Sequence, residues 1–183
     1  MMVFIGFFML VTVAIYVISA IFLMKLLRHT GHRRPWAAWV PIMNTAALLE
    51  IGGFANAWPW VAVLLAASVV AGAVAWIPVV GWLLFFAVVV FAIMITVWIA
   101  RGVHAGLGMK STGGVVLAVL LPIVWVIWMS VVAGKARYNV YAAMQEAQTF
   151  PLKWFTANPS FPANTFDTPA DPAPSGEVRS APM

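Results

Sequence analysis

The 183-residue chain contains no cysteine, which excludes disulfides, thiolate metal sites and cysteine nucleophiles. Charge is almost as scarce. Asp, Glu, Lys and Arg together make up 8% of the residues, against roughly a quarter in a soluble globular domain. Between residues 51 and 100 there is no Asp, Glu, Lys, Arg or His. Hydrophobic residues make up 64% of the chain, and so short a chain cannot hide that much apolar side chain from water, because much of a small fold faces its solvent. Lipid is the expected solvent, and the expected fold is an all-α polytopic bundle in the cytoplasmic (plasma) membrane. The chain also lacks paired carboxylates, a strand followed by a glycine-rich nucleotide loop, and any ionisable group in the middle of an apolar run. Proton- or sodium-coupled transporters normally need such a group. No cofactor and no catalytic residue is expected.

Four apolar stretches approach the roughly 20 residues that a helix needs to cross the hydrocarbon core. They lie at about residues 3–27, 60–77, 82–100 and 114–133. No positive charge precedes the first, and the basic cluster follows it, so it reads as a retained helix rather than a cleaved signal. The second and third are separated by Trp76-Ile77-Pro78-Val79-Val80-Gly81-Trp82, where proline and glycine supply a turn and two tryptophans mark headgroup depth. Pro122 lies inside the fourth and should kink it. The stretch 101–113, with four glycines, reads as a polar loop.

Residues 36–50 (WAAWVPIMNTAALLE) are apolar but interrupted by Pro41, Asn44 and Glu50. They are too short for a straight span, and an acidic residue at mid-bilayer costs roughly 2.5–3.5 kcal/mol. An interfacial or shallow re-entrant helix is expected, anchored by Trp36 and Trp39. Ala38-Trp39-Val40-Pro41-Ile42 is echoed by Ala75-Trp76-Ile77-Pro78-Val79, each marking a turn of an apolar segment. After the fourth stretch, residues 140–148 could form a short amphipathic helix. Seven prolines fall in the last 34 residues, so the tail is expected to be disordered.

The net charge of +5 sits at the ends of the apolar runs. It reads as a topology signal and as contact with anionic lipid headgroups, not as a nucleic-acid surface. Lys25, Arg28, Arg33, Arg34, Arg101 and Lys110 fall on one side of a four-span arrangement, and Lys135 and Arg137 on the other. The positive-inside bias then puts the N-terminus outside and, with four crossings, the C-terminus outside; a re-entrant fourth segment would leave the tail in the cytoplasm.

Four polar residues are the candidate functional positions. Asn44 and Glu50 interrupt an apolar segment and could bond between helices or line a polar cavity. Arg101 and His104 sit at the end of the third span, where an arginine can also simply snorkel. His29 and His32 are three apart, but a metal site needs three or four ligands, and a basic loop near lipid explains them. Lys110 and Ser111 are adjacent on a glycine-rich loop, a poor geometry for a serine–lysine dyad. Ala67, Ala71 and Ala75, with Ser68 and Gly72 alongside, form a stripe that allows close helix approach, either within the bundle or to a membrane-protein partner or second copy.

Residues 35–44, Pro-Trp-Ala-Ala-Trp-Val-Pro-Ile-Met-Asn, resemble the W-x3-V-P-I-Y-N segment of a family of small bacterial membrane proteins of unknown function. Its members are sometimes labelled signal-peptidase-I-like or large exoprotein. Ile77-Pro78-Val79-Val80 is similar to its I-P-x-x-N element, with Gly81 where the family usually has asparagine. Residues 108–114 (GMKSTGG) and Leu121-Pro122 are similar to its G-K-S-T-G-F-G and L-P stretches. The resemblance spans residues 35–138; it implies a membrane domain and brings no activity with it.

Overall fold

The structure, a computed structural model, describes residues 2–55, 57–151 and 166. The described residues are helical with no β-strand, as the composition led one to expect. α1 covers Met2–His29, α2 Pro41–Ile51, α3 Ala57–Val74, α4 Pro78–Gly106, α5 Thr112–Leu120, α6 Pro122–Ala133 and α7 Val140–Ala147, with a 3-10 turn at Pro35–Trp39 before α2. Among the described residues, three helices are long and apolar enough to cross a membrane: Phe4–His29, Ala57–Val74 and Val79–Gly106.

Prolines set the helix starts. Pro41, Pro78 and Pro122 each occupy the first turn of a helix, where the missing N–H has no intrahelical role. The residue before each is forced out of the helical region: Val40 lies at φ −108°, ψ 116°, Ile77 at φ −89°, ψ 108°, and Leu121 at φ −136°, ψ 69°. The echo between residues 38–42 and 75–79 is therefore a shared way of starting a helix.

At Leu121 the expected fourth span differs from a kinked helix. It is divided into α5, nine residues, and α6, twelve residues, which rise only about 14 and 18 Å at 1.5 Å per residue. Neither reaches across a core of roughly 30 Å. The pair folds back on itself. A Cβ on Gly114, at the start of α5, would meet the His104 ring near the end of α4. A Cβ on Gly134, just past α6, would sit 3.4 Å from the His29 ring at the end of α1. Tyr138, a few residues on, bonds the Ile51 carbonyl at the end of α2. Both ends of the 112–134 stretch thus lie at one end of the bundle.

The segment 35–51 behaves the same way. It leaves that end after His32, reaches the Tyr16 hydroxyl, which donates to the Trp39 carbonyl at 2.5 Å, and returns along α2 to Glu50. The stretch 101–106, expected as loop, is instead the last turns of α4. The helix continues because its inner face packs, with Val103 and His104 buried.

Packing concentrates at this one end. Gly52 and Gly102 let α2 and α4 touch: a Cβ on Gly102 would fall 1.9 Å from the Gly52 carbonyl oxygen. Phe54, Trp60, Trp98 and Phe150 form an edge-to-face cluster with centroids 5.0–5.8 Å apart. α7, the expected amphipathic helix, buries Ala143, Met144 and Ala147 and lies along α4. Of the tail expected to be disordered from residue 150 on, the structure describes Phe150, which is buried in the aromatic cluster, Pro151 and Phe166, whose ring stacks on Tyr138 and meets His32 edge-on; the rest lies outside the described residues.

Candidate functional site

The four polar positions singled out from the sequence fall into three places. Glu50, at the end of α2, pairs with His32: His32 Nε2 lies 2.6 Å from Glu50 Oε2. The Arg34 backbone N–H donates to His32 Nδ1 at 3.1 Å, which assigns the ring proton to Nε2 and makes Nε2–H the donor to the carboxylate. His32 is 4% exposed; it is a buried clasp between the α1–α2 connection and α2, not part of a solvated loop. Among the described residues there is no group of three or more His, Asp or Glu able to hold a metal.

Asn44 lies elsewhere. It lines an apolar cleft of about 160 Å³ between α1, α2 and α6, with Tyr16, Ser19, Leu23 and Pro122. Its Oδ1 accepts from the Thr45 hydroxyl at 3.2 Å. The cleft sits where the two folded-back segments meet α1.

Arg101 and His104 come together on one wall of a larger, more polar cavity of about 440 Å³. Arg101 Nη2 pairs with Glu146 Oε1 at 2.5 Å, and its guanidinium stacks over the Trp98 ring at 5.4 Å. The side chain does not simply snorkel: it ties α7 to α4. His104 is 3% exposed, and neither ring nitrogen has a hydrogen-bond partner among the described residues. Its ring meets Trp125 edge-on at 6.2 Å and Trp128 at 5.9 Å.

The opposite wall is the start of α5. Lys110, Ser111 and Thr112 line the cavity, and Ser111 caps the helix, its Oγ accepting from the Gly114 N–H at 3.0 Å. Lys110 and Ser111 lie on the connection between α4 and α5, as expected of a loop, but the capping role of Ser111 was not foreseen. The missed signal was the serine directly ahead of an apolar run, an N-cap pattern. Glu146 was missed because nothing local links it to Arg101, 45 positions earlier. Close by, the Tyr138 hydroxyl donates to the Ile51 carbonyl, and burial raises its pKa well above the ordinary phenol value.

At the far end of the bundle, α3 and α4 leave an apolar groove of about 510 Å³. Ser68, Ala71, Gly72 and Ala75 form one side, and Trp82 and Phe85 lie on the other. No protein-family model, curated protein or solved structure matches the chain.

Proposed function

We propose that the chain is a non-enzymatic accessory or scaffolding protein of the cytoplasmic membrane, docking another membrane helix in the groove between α3 and α4. The observation that carries this is the groove itself. Small side chains on α3 permit close backbone approach, which is what drives helix association where lipid removes the hydrophobic effect. Gly72 is open to its surroundings, with nothing within 4 Å of where a Cβ would sit. The serine beside Lys110 supports the non-enzymatic reading, since Ser111 Oγ is engaged as a helix cap; Ser130, five residues before Lys135, likewise donates its hydroxyl to the Ile127 carbonyl at 2.7 Å. The resemblance at residues 35–138 agrees with a membrane domain and adds no reaction.

The reading includes three crossings rather than four. Lys25, Arg28, Arg33, Arg34, Arg101, Lys110, Lys135 and Arg137 then share one side, which the positive-inside bias makes cytoplasmic. The N-terminus is outside, and the C-terminus is cytoplasmic, replacing the outer placement that four crossings required. A protease-protection assay on a C-terminal tag tests this: cleavage from outside intact cells would refute it.

The docking test is purification of the full chain in mild detergent with Gly72→Leu as the probe. We expect a membrane protein or a second copy to co-purify with the native chain and to be lost with Gly72→Leu, at unchanged melting temperature. A solitary monomer in both samples counts against docking. A second reading, passage of apolar solutes, draws on the cleft at Asn44. Its volume of about 160 Å³ falls below the roughly 300–1,000 Å³ of small-molecule sites, which favours docking.

A further inference from the structure

We propose that the cavity between the end of α4 and the start of α5 binds a phosphate ester group, with His104, Lys110 and the first turn of α5 as its recognition elements. The proposal is independent of what occupies the α3–α4 groove.

Three observations converge. The first is the orphaned imidazole. Buried polar side chains are nearly always hydrogen-bonded, and one left bare asks for an explanation. His104 is 97% buried (3% exposed), lines the cavity and has both nitrogens without a hydrogen-bond partner among the described residues. It packs against the first turn of α5, because Gly114 has no side chain to keep it away; a Cβ there would lie 2.6 Å from His104 Nε2.

The second is the start of α5, Thr112–Leu120, which borders the cavity at Thr112. The opening N–H groups of a helix have no intrahelical acceptor and carry roughly half a positive charge, which suits an anion. Ser111 takes up the Gly114 N–H.

The third is charge. Among the described residues, Arg101 and Lys110 line the cavity against a single carboxylate, Glu146, which is already paired with Arg101. That leaves the Lys110 ammonium and the helix terminus as the uncompensated positive groups. The cavity volume of about 440 Å³ exceeds that of one phosphate and is in the range of small-ligand sites. Its place at the end of α4, where the apolar span gives way to basic residues, is headgroup depth in the topology proposed above. The shared chemistry is a phosphate ester, supplied either by a phospholipid headgroup or by a water-soluble phosphorylated solute.

The test uses the full-length protein, delipidated in a neutral detergent. It is titrated separately with detergent-dispersed phosphatidylglycerol, with glycerol 3-phosphate and with inorganic phosphate. Histidine-selective ¹⁵N NMR reports His104, and native mass spectrometry reports retained lipid. We expect the His104 nitrogens to shift on saturation, and Lys110→Gln to weaken binding about tenfold, as loss of a charge-assisted bond implies. Lys135→Gln, an equally exposed cation away from the cavity, should leave affinity unchanged. Saturation by phosphatidylglycerol alone identifies a lipid headgroup, and saturation by glycerol 3-phosphate or phosphate identifies a soluble source; both outcomes uphold the site. The proposal is overturned if none of the three moves the His104 signals. It is equally overturned if Lys110→Gln and Lys135→Gln weaken binding alike, since that is general attraction to a basic surface. His104→Gln is read only where its melting temperature matches the native chain; Lys110→Gln, at an exposed position, keeps the test decisive if it does not.

Discussion

Both halves of α1 carry large apolar side chains, in opposite surroundings. Phe4, Phe7, Phe8 and Leu10 are each about two-thirds exposed or more, whereas Leu23, Leu26 and Leu27 are buried. α3 and α4 repeat the contrast: Trp60, Val61, Ile99 and Val103 lie inside, while Val69, Trp82, Leu83 and Val90 are open. The protein is thus packed at its basic end and bare at the other. In lipid the bare end carries no hydrophobic penalty, because acyl chains solvate it as well as another helix would. What holds the packed end together must therefore be close contact and satisfied polar groups, and those are the features to disturb.

The largest effect is expected at the α2–α4 crossing. Gly102→Ala drives a methyl into the Gly52 backbone, where no side chain can yield, and should cost about 3 kcal/mol, read as a lowered melting temperature in detergent. If Gly102→Ala melts like the native chain, the crossing is not where the packed end is held.

Next is the clasp between His32 and Glu50. Glu50→Ala leaves a buried Nε2–H without its acceptor and should cost about 1–3 kcal/mol. Removing the more exposed acid, Glu146→Gln, should cost under about 1 kcal/mol, as for surface ion pairs. Equal losses from the two would erase the distinction between a buried clasp and a surface tie.

Tyr138→Phe should cost about 1 kcal/mol through the lost bond to the Ile51 carbonyl. It also carries a pH signature. Burial raises the phenol pKa in the fold, so the Tyr138 contribution is intact below about pH 10, the unfolded value. It is lost as pH climbs further, because the unfolded chain then gives up its proton first. Native stability should fall more steeply above pH 10 than that of Tyr138→Phe; parallel curves would show that the hydroxyl is not held in the interior.

Asn139→Ala removes the cap of α7, whose side chain accepts from the Ala142 N–H at 3.2 Å. About 1 kcal/mol is expected, seen as faster hydrogen exchange confined to α7. The smallest effect belongs to the bare end: Gly72→Ala, with open space around it, should change stability by less than about 0.5 kcal/mol. A large loss there would mean that the apolar end is packed after all.

Much of this architecture is legible in the residues. Hydropathy located α1, α3 and α4 to within a few positions, and Pro78 marked the turn before α4; Pro41 and Pro122, expected as an interruption and a kink within apolar segments, instead start helices. The candidate site was half legible. Glu50 and His104 stood out as polar groups among apolar neighbours, and both are engaged or enclosed in the fold. Their surroundings were not readable, since the His32 clasp, the Glu146 pair and the Trp125–Trp128 walls are set by contacts between distant segments.

Local hydropathy and a proline's missing N–H, both properties of neighbouring residues, set the apolar helices and the points where they break. The tertiary structure alone decided that residues 112–133 fold back toward the end of the bundle where they begin. Leu121-Pro122 can stop a helix but says nothing about the direction that follows. That direction comes from α5 packing on α4 and α6 on α1, and it is this return that brings Lys110 and the first turn of α5 to the same cavity as His104.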